Sequence, residues 1–98
     1  MGAIDYNDDL PDEPIDFDVG EVTVRGKRPV ILRTKRMRHG IKAMVMEDTE
    51  YGPCELSASD TTPERALEKL QLFAAFCERF PGRCFEAVTL EQLRQEIA

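Results

Sequence analysis

One stretch of this chain declares its structure by itself, and every other segment has to accommodate it. Thr61 or Thr62 can cap a helix start, Pro63 suits a first turn, and Glu64 sits at the positive end of the helix dipole. Pro81-Gly82 stops the pattern after Phe80. At about 100° per residue, Ala66, Leu67, Leu70, Phe73, Ala74 and Cys77 share one stripe, which Leu72, Phe76 and Phe80 widen to about 220°. Glu64, Glu68, Gln71 and Glu78 fall opposite. Packing on a single sheet face uses roughly half that arc, so this helix needs a sheet on one side and something else on another. The end of the chain offers it. Thr89 with Gln92 makes a capping box, Val88 and Leu93 a hydrophobic staple, and Leu90, Leu93 and Ile97 keep helical spacing. Two turns do not stand alone in water, so this short helix must dock on the long one or on a second copy of the chain.

What precedes the helix alternates with a period of two. Val22 and Val24 alternate with Thr23 and Arg25; Val30, Leu32 and Thr34 alternate with Ile31, Arg33 and Lys35; Ile41, Ala43 and Val45 alternate with Lys42, Met44 and Met46. Cys54 and Leu56 begin a short further strand that fades over residues 57–59. Turn signals separate the segments: Gly26-Lys27-Arg28-Pro29, His39-Gly40, and the polar run 47–53. Short connections between successive strands predict antiparallel pairing. The expected fold is therefore α+β: a three- or four-stranded antiparallel sheet, one long helix packed on it, a short C-terminal helix, and an acidic disordered N-terminal arm. The arm covers residues 1–19 and a single domain covers residues 20–98. Ninety-eight residues support one modest core. Ile15, Phe17 and Val19 alternate with Asp16 and Asp18 inside the arm, the pattern of a segment that orders on a partner.

Charge is sorted along the chain. Residues 1–21 carry eight acids and no base, residues 22–46 carry eight bases and no acid, and the remainder is acidic again, for a net charge of −6. Such blocks read as interaction surfaces or tails. The bases are Arg25, Lys27, Arg28, Arg33, Lys35, Arg36, Arg38 and Lys42. On a strand, Arg33 and Lys35 point one way, with Arg25 joining them across a hairpin, while Arg36 and Arg38 point the other way and Lys27 and Arg28 sit at the tip. That basic hairpin, residues 25–38, is a candidate phosphate-binding ribbon. It lacks aromatic residues for base stacking. The acidic arm, with Asp5, Tyr6, Asp8, Asp9, Asp12, Glu13, Asp16, Phe17 and Asp18, folds back on the bases, presents phosphate-like charge to another protein, or serves as a plain solubilising tail.

Catalytic chemistry finds no foothold. There is one histidine, His39, in an expected turn; no Gly-rich loop opens a helix, and Ser57 and Ser59 lack a nucleophile elbow. Cys54, Cys77 and Cys84 have no metal-ligand spacing, so no metal and no cofactor is expected. An odd number of cysteines fits a reducing, cytoplasmic setting. Cys77 and Cys84 flank the Phe80-Pro81-Gly82 bend, where they could approach each other, but a disulfide between them needs an oxidising compartment that nothing else in the sequence supports. No apolar run reaches membrane-span length, and no basic n-region with an apolar core begins the chain.

The segment from Cys54 through Ser59-Asp60-Thr61-Thr62-Pro63 to Glu68-Lys69-Leu70 resembles the strand-to-helix junction of HicB-type antitoxins. In that family a short strand with a cysteine leads through a cap into a Glu-Ala-Leu-rich helix. The likeness covers about residues 41–70 and includes the turn Glu50-Tyr51-Gly52; Ser59 stands where the family pattern has glycine, and only a two-turn helix follows in place of a DNA-binding module. The resemblance implies a partial HicB-like sheet and helix and a role in blocking another protein. It carries over no catalytic residue.

The leading functional expectation is a non-enzymatic, acidic inhibitor or interaction protein, of a size and charge that suit a phage or mobile element or an antitoxin. It would cover the basic, nucleic-acid-binding surface of a host protein, acting as a nucleic-acid mimic. Residues 5–21 with Glu64, Glu68 and Glu78 would supply charge, and Phe17, Tyr6 and Tyr51 would supply anchors. The second expectation is a nucleic-acid-binding module using the basic hairpin. The broad apolar arc also allows a homodimer.

Overall fold

A computed structural model describes residues 13–34, 40–84 and 87–97. Four antiparallel strands stand in the order β1-β2-β3-β4: β1 is Glu13–Pro14, β2 Val30–Arg33, β3 Ile41–Thr49 and β4 Gly52–Asp60. Two helices follow, α1 over Pro63–Arg79 and α2 over Leu90–Ile97, with a single 3-10 turn at Pro81–Arg83 between them. The expected α+β architecture is what forms.

The longest ladder pairs β3 with β4 over nine residues, from Ile41 opposite Asp60 to Thr49 opposite Gly52. The connection is shorter than the polar run 47–53 implied. Glu47, Asp48, Thr49, Gly52 and Pro53 all lie in the ladder, leaving Glu50 and Tyr51 as the turn. Thr49 makes this work: its Oγ1 donates to Gly52 O at 2.7 Å and accepts from Tyr51 N at 3.1 Å, while Gly52 adopts φ +108. β4 does not fade at residues 57–59 either. Ala58 and Asp60 are buried on the helix side, so the ladder keeps its reward to the end.

The first strand is not residues 21–25. It is Glu13–Pro14, opposite Arg33 and Leu32, with Ile15 N donating to Ile31 O beyond it. Proline is tolerated at this place because an edge strand has one row of N–H groups facing away from the ladder. The described end of the expected acidic arm therefore lies on the body: Val19 is buried, and Ile15 and Phe17 pack against the core. Residues 1–12 lie outside the described residues. The segment expected as a strand instead reverses at Arg25 and Gly26, whose φ values are +55 and +77. Val24 and Lys27 exchange two backbone hydrogen bonds at 2.8 and 3.0 Å, so the turn sits ahead of the Gly26–Pro29 signal. Two consecutive positive φ values make the kind of turn that matches strand twist, and Gly26 supplies the one without steric cost.

Ile31, Ala43, Val45 and Ala58 face α1 and form one core with Ala66, Leu70, Ala74, Val19 and Val24. Alanines on both sides let the helix approach the sheet closely. Thr62 caps α1 by accepting from Arg65 N at 3.2 Å, and Phe80 N closes the last turn on Phe76 O at 2.8 Å. The rest of the broad apolar arc is covered by α2, as its width demanded. Phe76, Leu90 and Leu93 are fully buried, each contributing about 1.5–3 kcal/mol by burial. Thr89 and Gln92 form the expected capping box: Thr89 N donates to Gln92 Oε1 at 2.8 Å, and Gln92 N donates to Thr89 Oγ1 at 3.1 Å. Contacts between the helices run start to start and end to end, from Arg65–Glu91 to Arg79–Glu96. α2 therefore points the same way as α1.

Candidate interaction surface

Both helices lie on one side of the sheet, so the alternate side chains of the strands face away from them. The ladder register sets them in rows: Pro14, Leu32, Lys42 and Ser59; then Val30, Met44 and Ser57; then Met46 and Glu55. Val30 is 48% exposed and Met46 42%, and Leu32 and Met44 are half-buried. Met44 and Met46 would by residue type suit a core. Neither is core, because their parity in β3 puts them on the face α1 does not cover. Lys42 Nζ reaches Glu55 Oε1 at 3.4 Å across this face. At one end the β3–β4 turn projects Tyr51, 91% exposed, beside exposed Glu50. An exposed aromatic ring at the tip of the ladder, beyond the Asp48–Pro53 pair, and methionines on the open face are features that protein-docking surfaces share.

The basic block does not form a ribbon among the described residues. Arg25 leaves the expected hairpin altogether: its Nη1 lies 3.3 Å from Glu47 Oε1 and its Nε 3.6 Å from Glu78 Oε1, bridging β3 and α1. Lys27 pairs with Asp48 at 3.9 Å and Arg28 with Asp18 at 3.6 Å. Arg33 ends β2, exposed, opposite Glu13 and Ile41. Lys35, Arg36, Arg38 and His39 lie outside the described residues. The alternation that placed Arg25 beside Arg33 fails because the left-handed turn at Arg25–Gly26 ends it.

The expected partner-binding acids are divided too. Asp5, Tyr6, Asp8, Asp9 and Asp12 lie outside the described residues. Asp16 is exposed. Asp18 Oδ1 accepts from Gly20 N at 2.8 Å as well as facing Arg28, so it shapes its own turn and makes one of the contacts expected if the arm folds back. Phe17 is half-buried against the core and is not a free anchor. On α1, Glu78 is taken by Arg25, and Glu68 takes two hydrogen bonds from Arg94, at 2.8 and 2.7 Å; Glu64 is exposed.

A cleft of about 250 Å³ opens where the two helices start, lined by Asp60, Thr61, Arg65, Lys69, Thr89, Leu90 and Glu91. Its charges are satisfied within it. Burial alone would raise the Asp60 carboxyl, but the Thr61 N–H and the Arg65 guanidinium outweigh burial and hold it below the usual range. Arg65 likewise holds Glu91 low, and Arg94 holds Glu68 low. The three cysteines are unpaired thiols. Burial pushes Cys77 up to about 11, and its Sγ donates to Cys84 O at 3.8 Å. Among the described residues no group of histidine, cysteine or carboxylate side chains is arranged to hold a metal ion, and no helix is long and apolar enough to cross a membrane.

No protein-family model, curated protein or solved structure matches this chain.

Proposed function

We propose that this chain is a non-enzymatic interaction protein of the cytoplasm that covers the basic, nucleic-acid-binding surface of another protein. The observation that carries this reading is the internal use of the first three bases of the block. Arg25, Lys27 and Arg28 each face an acid of the same chain, which weakens the case for a phosphate ribbon. The net charge of −6 remains to draw a basic partner in, since charge of this kind acts mainly on the rate of encounter. The exposed Val30, Met46 and Tyr51 supply apolar anchors, which charge alone does not replace. An antitoxin is one form this function takes. The order β3, β4, α1 agrees with what the HicB-type resemblance of residues 41–70 implies, and the partner is then a toxin.

Two measurements test the proposal. Labelled RNA and DNA are run with the purified chain at low and moderate salt. No mobility shift is expected; a steep, salt-dependent shift transfers the function to the basic hairpin. The tagged chain is then used to capture its partner, with each captured protein identified and challenged with duplex DNA. Release by DNA from a protein that binds nucleic acid is expected. A partner that stays bound in excess DNA means the covered surface is not a nucleic-acid site.

A further inference from the structure

Of the three thiols, two are brought together by the turn that ends α1. Cys77 stands on the last turns of the helix, on the stripe that faces the sheet. Phe80 closes α1, Pro81–Arg83 winds one 3-10 turn held by Arg83 N to Phe80 O at 2.9 Å, and the chain delivers Cys84 back beneath Cys77. The Cys77 thiol donates to the Cys84 carbonyl at 3.8 Å. A carbonyl oxygen lies about 2.4 Å from its own Cα, so the Cys84 Cα falls within roughly 6 Å of the Cys77 sulfur. The Cys84 side chain is itself close enough to help burial push the Cys77 thiol up, so the two sulfurs are neighbours, and a disulfide further requires Cα atoms about 4.4–6.8 Å apart. Both residues are half-buried, whereas Cys54 is exposed on β4.

We propose that Cys77 and Cys84 form a reversible intramolecular disulfide that clips the return segment to α1. Oxidised glutathione is a sufficient oxidant. The Cys84 thiolate attacks its disulfide, releasing one glutathione thiolate and leaving Cys84 as a mixed disulfide. The Cys77 thiol loses its proton and attacks the Cys84 sulfur, releasing the second glutathione thiolate. Two protein thiols and one disulfide become one protein disulfide and two glutathione thiols, with two electrons passing from the protein to glutathione. Cys77 takes the second step because burial keeps it protonated, so ring closure is slower than the first exchange and quickens as pH rises.

The test uses the full chain, incubated with oxidised glutathione at pH 8 and then alkylated. The expected product takes up no alkyl group: exposed Cys54 holds one glutathione, and tryptic peptides 70–79 and 84–94, together about 2 Da lighter than their reduced forms, are joined by a bond that dithiothreitol breaks. Cys77→Ser should instead leave Cys84 held as a glutathione adduct. The clip should raise the melting temperature, and dithiothreitol should reverse the rise. Alkylation of all three cysteines after oxidation, or a bond that joins Cys54 to another chain while Cys77 and Cys84 stay free, overturns the proposal.

Discussion

Arg65 Nη2 lies 2.8 Å from Glu91 Oε2 while the Nε of the same guanidinium lies 2.9 Å from Asp60 Oδ1. One side chain thus ties the last residue of β4 to α1 and to the start of α2. Asp60 is 7% exposed and also accepts from Thr61 N at 2.7 Å, so its carboxylate is the inner end of the tie. The relationship gives stability a direction in pH. Asp60, Glu68 and Glu91 all titrate lower folded than unfolded, so the folded chain binds fewer protons in acid. Their contribution is complete above about pH 4.5 and fades as pH falls through their lowered folded values. Urea midpoints measured from pH 6 down to pH 3 should fall, and Asp60→Asn should flatten the fall while costing about 1–3 kcal/mol at pH 6. The exposed Glu68–Arg94 and Arg65–Glu91 contacts should weaken with added salt. An unchanged pH profile in Asp60→Asn would remove Asp60 from this role.

Leu93→Ala should destabilise the chain by about 2–4 kcal/mol. The side chain is fully buried, and α2 is too short to persist without its contact with α1. Denaturation followed by circular dichroism gives the stability, and a dye that binds exposed apolar surface reports the uncovered Phe76 side. A loss below about 0.5 kcal/mol would mean that α2 covers nothing essential.

Gly26→Ala should cost about 1–2 kcal/mol, because position 26 holds φ +77. No heavy atom lies within 4 Å of the added Cβ, so the cost is conformational and not a clash. Arg25→Gly separates the two roles of its position. It relieves the φ of +55 but loses the contacts to Glu47 and Glu78. Equal stability of Arg25→Gly and the parent would show that strain and ion pairing there cancel.

Met46→Ser should leave stability within about 0.5 kcal/mol, as substitutions at exposed sites usually do, since Met46 is 42% exposed on the sheet face away from the helices. Tyr51→Ser, at 91% exposure, should behave alike. Both should weaken capture of the partner at unchanged melting temperature. Full retention of binding in the double variant would place the docking surface elsewhere.

Where periodicity and capping agreed, the fold was legible from residues alone. Thr62 and Pro63 start α1, Thr89 and Gln92 start α2, and the excess width of the α1 apolar arc required a second cover. The failures were of two kinds. Val22 and Val24 alternate like a strand, yet a positive φ at a non-glycine residue, Arg25, is invisible to a pattern of polarity. Glu47–Thr49 and Gly52–Pro53 look like loop by composition, but pairing to a partner strand overrides the weak preferences of single residues. The site was less legible than the fold. Charge sorted by sequence position does not say which acid meets which base, and Arg25, Lys27 and Arg28 turned out to face Glu47, Asp48 and Asp18. The open sheet face was implicit in the two parities of β3, and the missing signal was which of them α1 would choose.

The two-residue link between β3 and β4 bears on how the molecule assembles. Eighteen residues joined by so tight a bend can zip together on the microsecond scale of isolated hairpins, with no distant segment needed, and α1 begins three residues further on. That contiguous block is the natural nucleus of folding. β1, whose pairing with β2 spans the long excursion through Val19 and Val24, should be last to join and first to leave, which amide exchange would read as early loss of protection at Ile15.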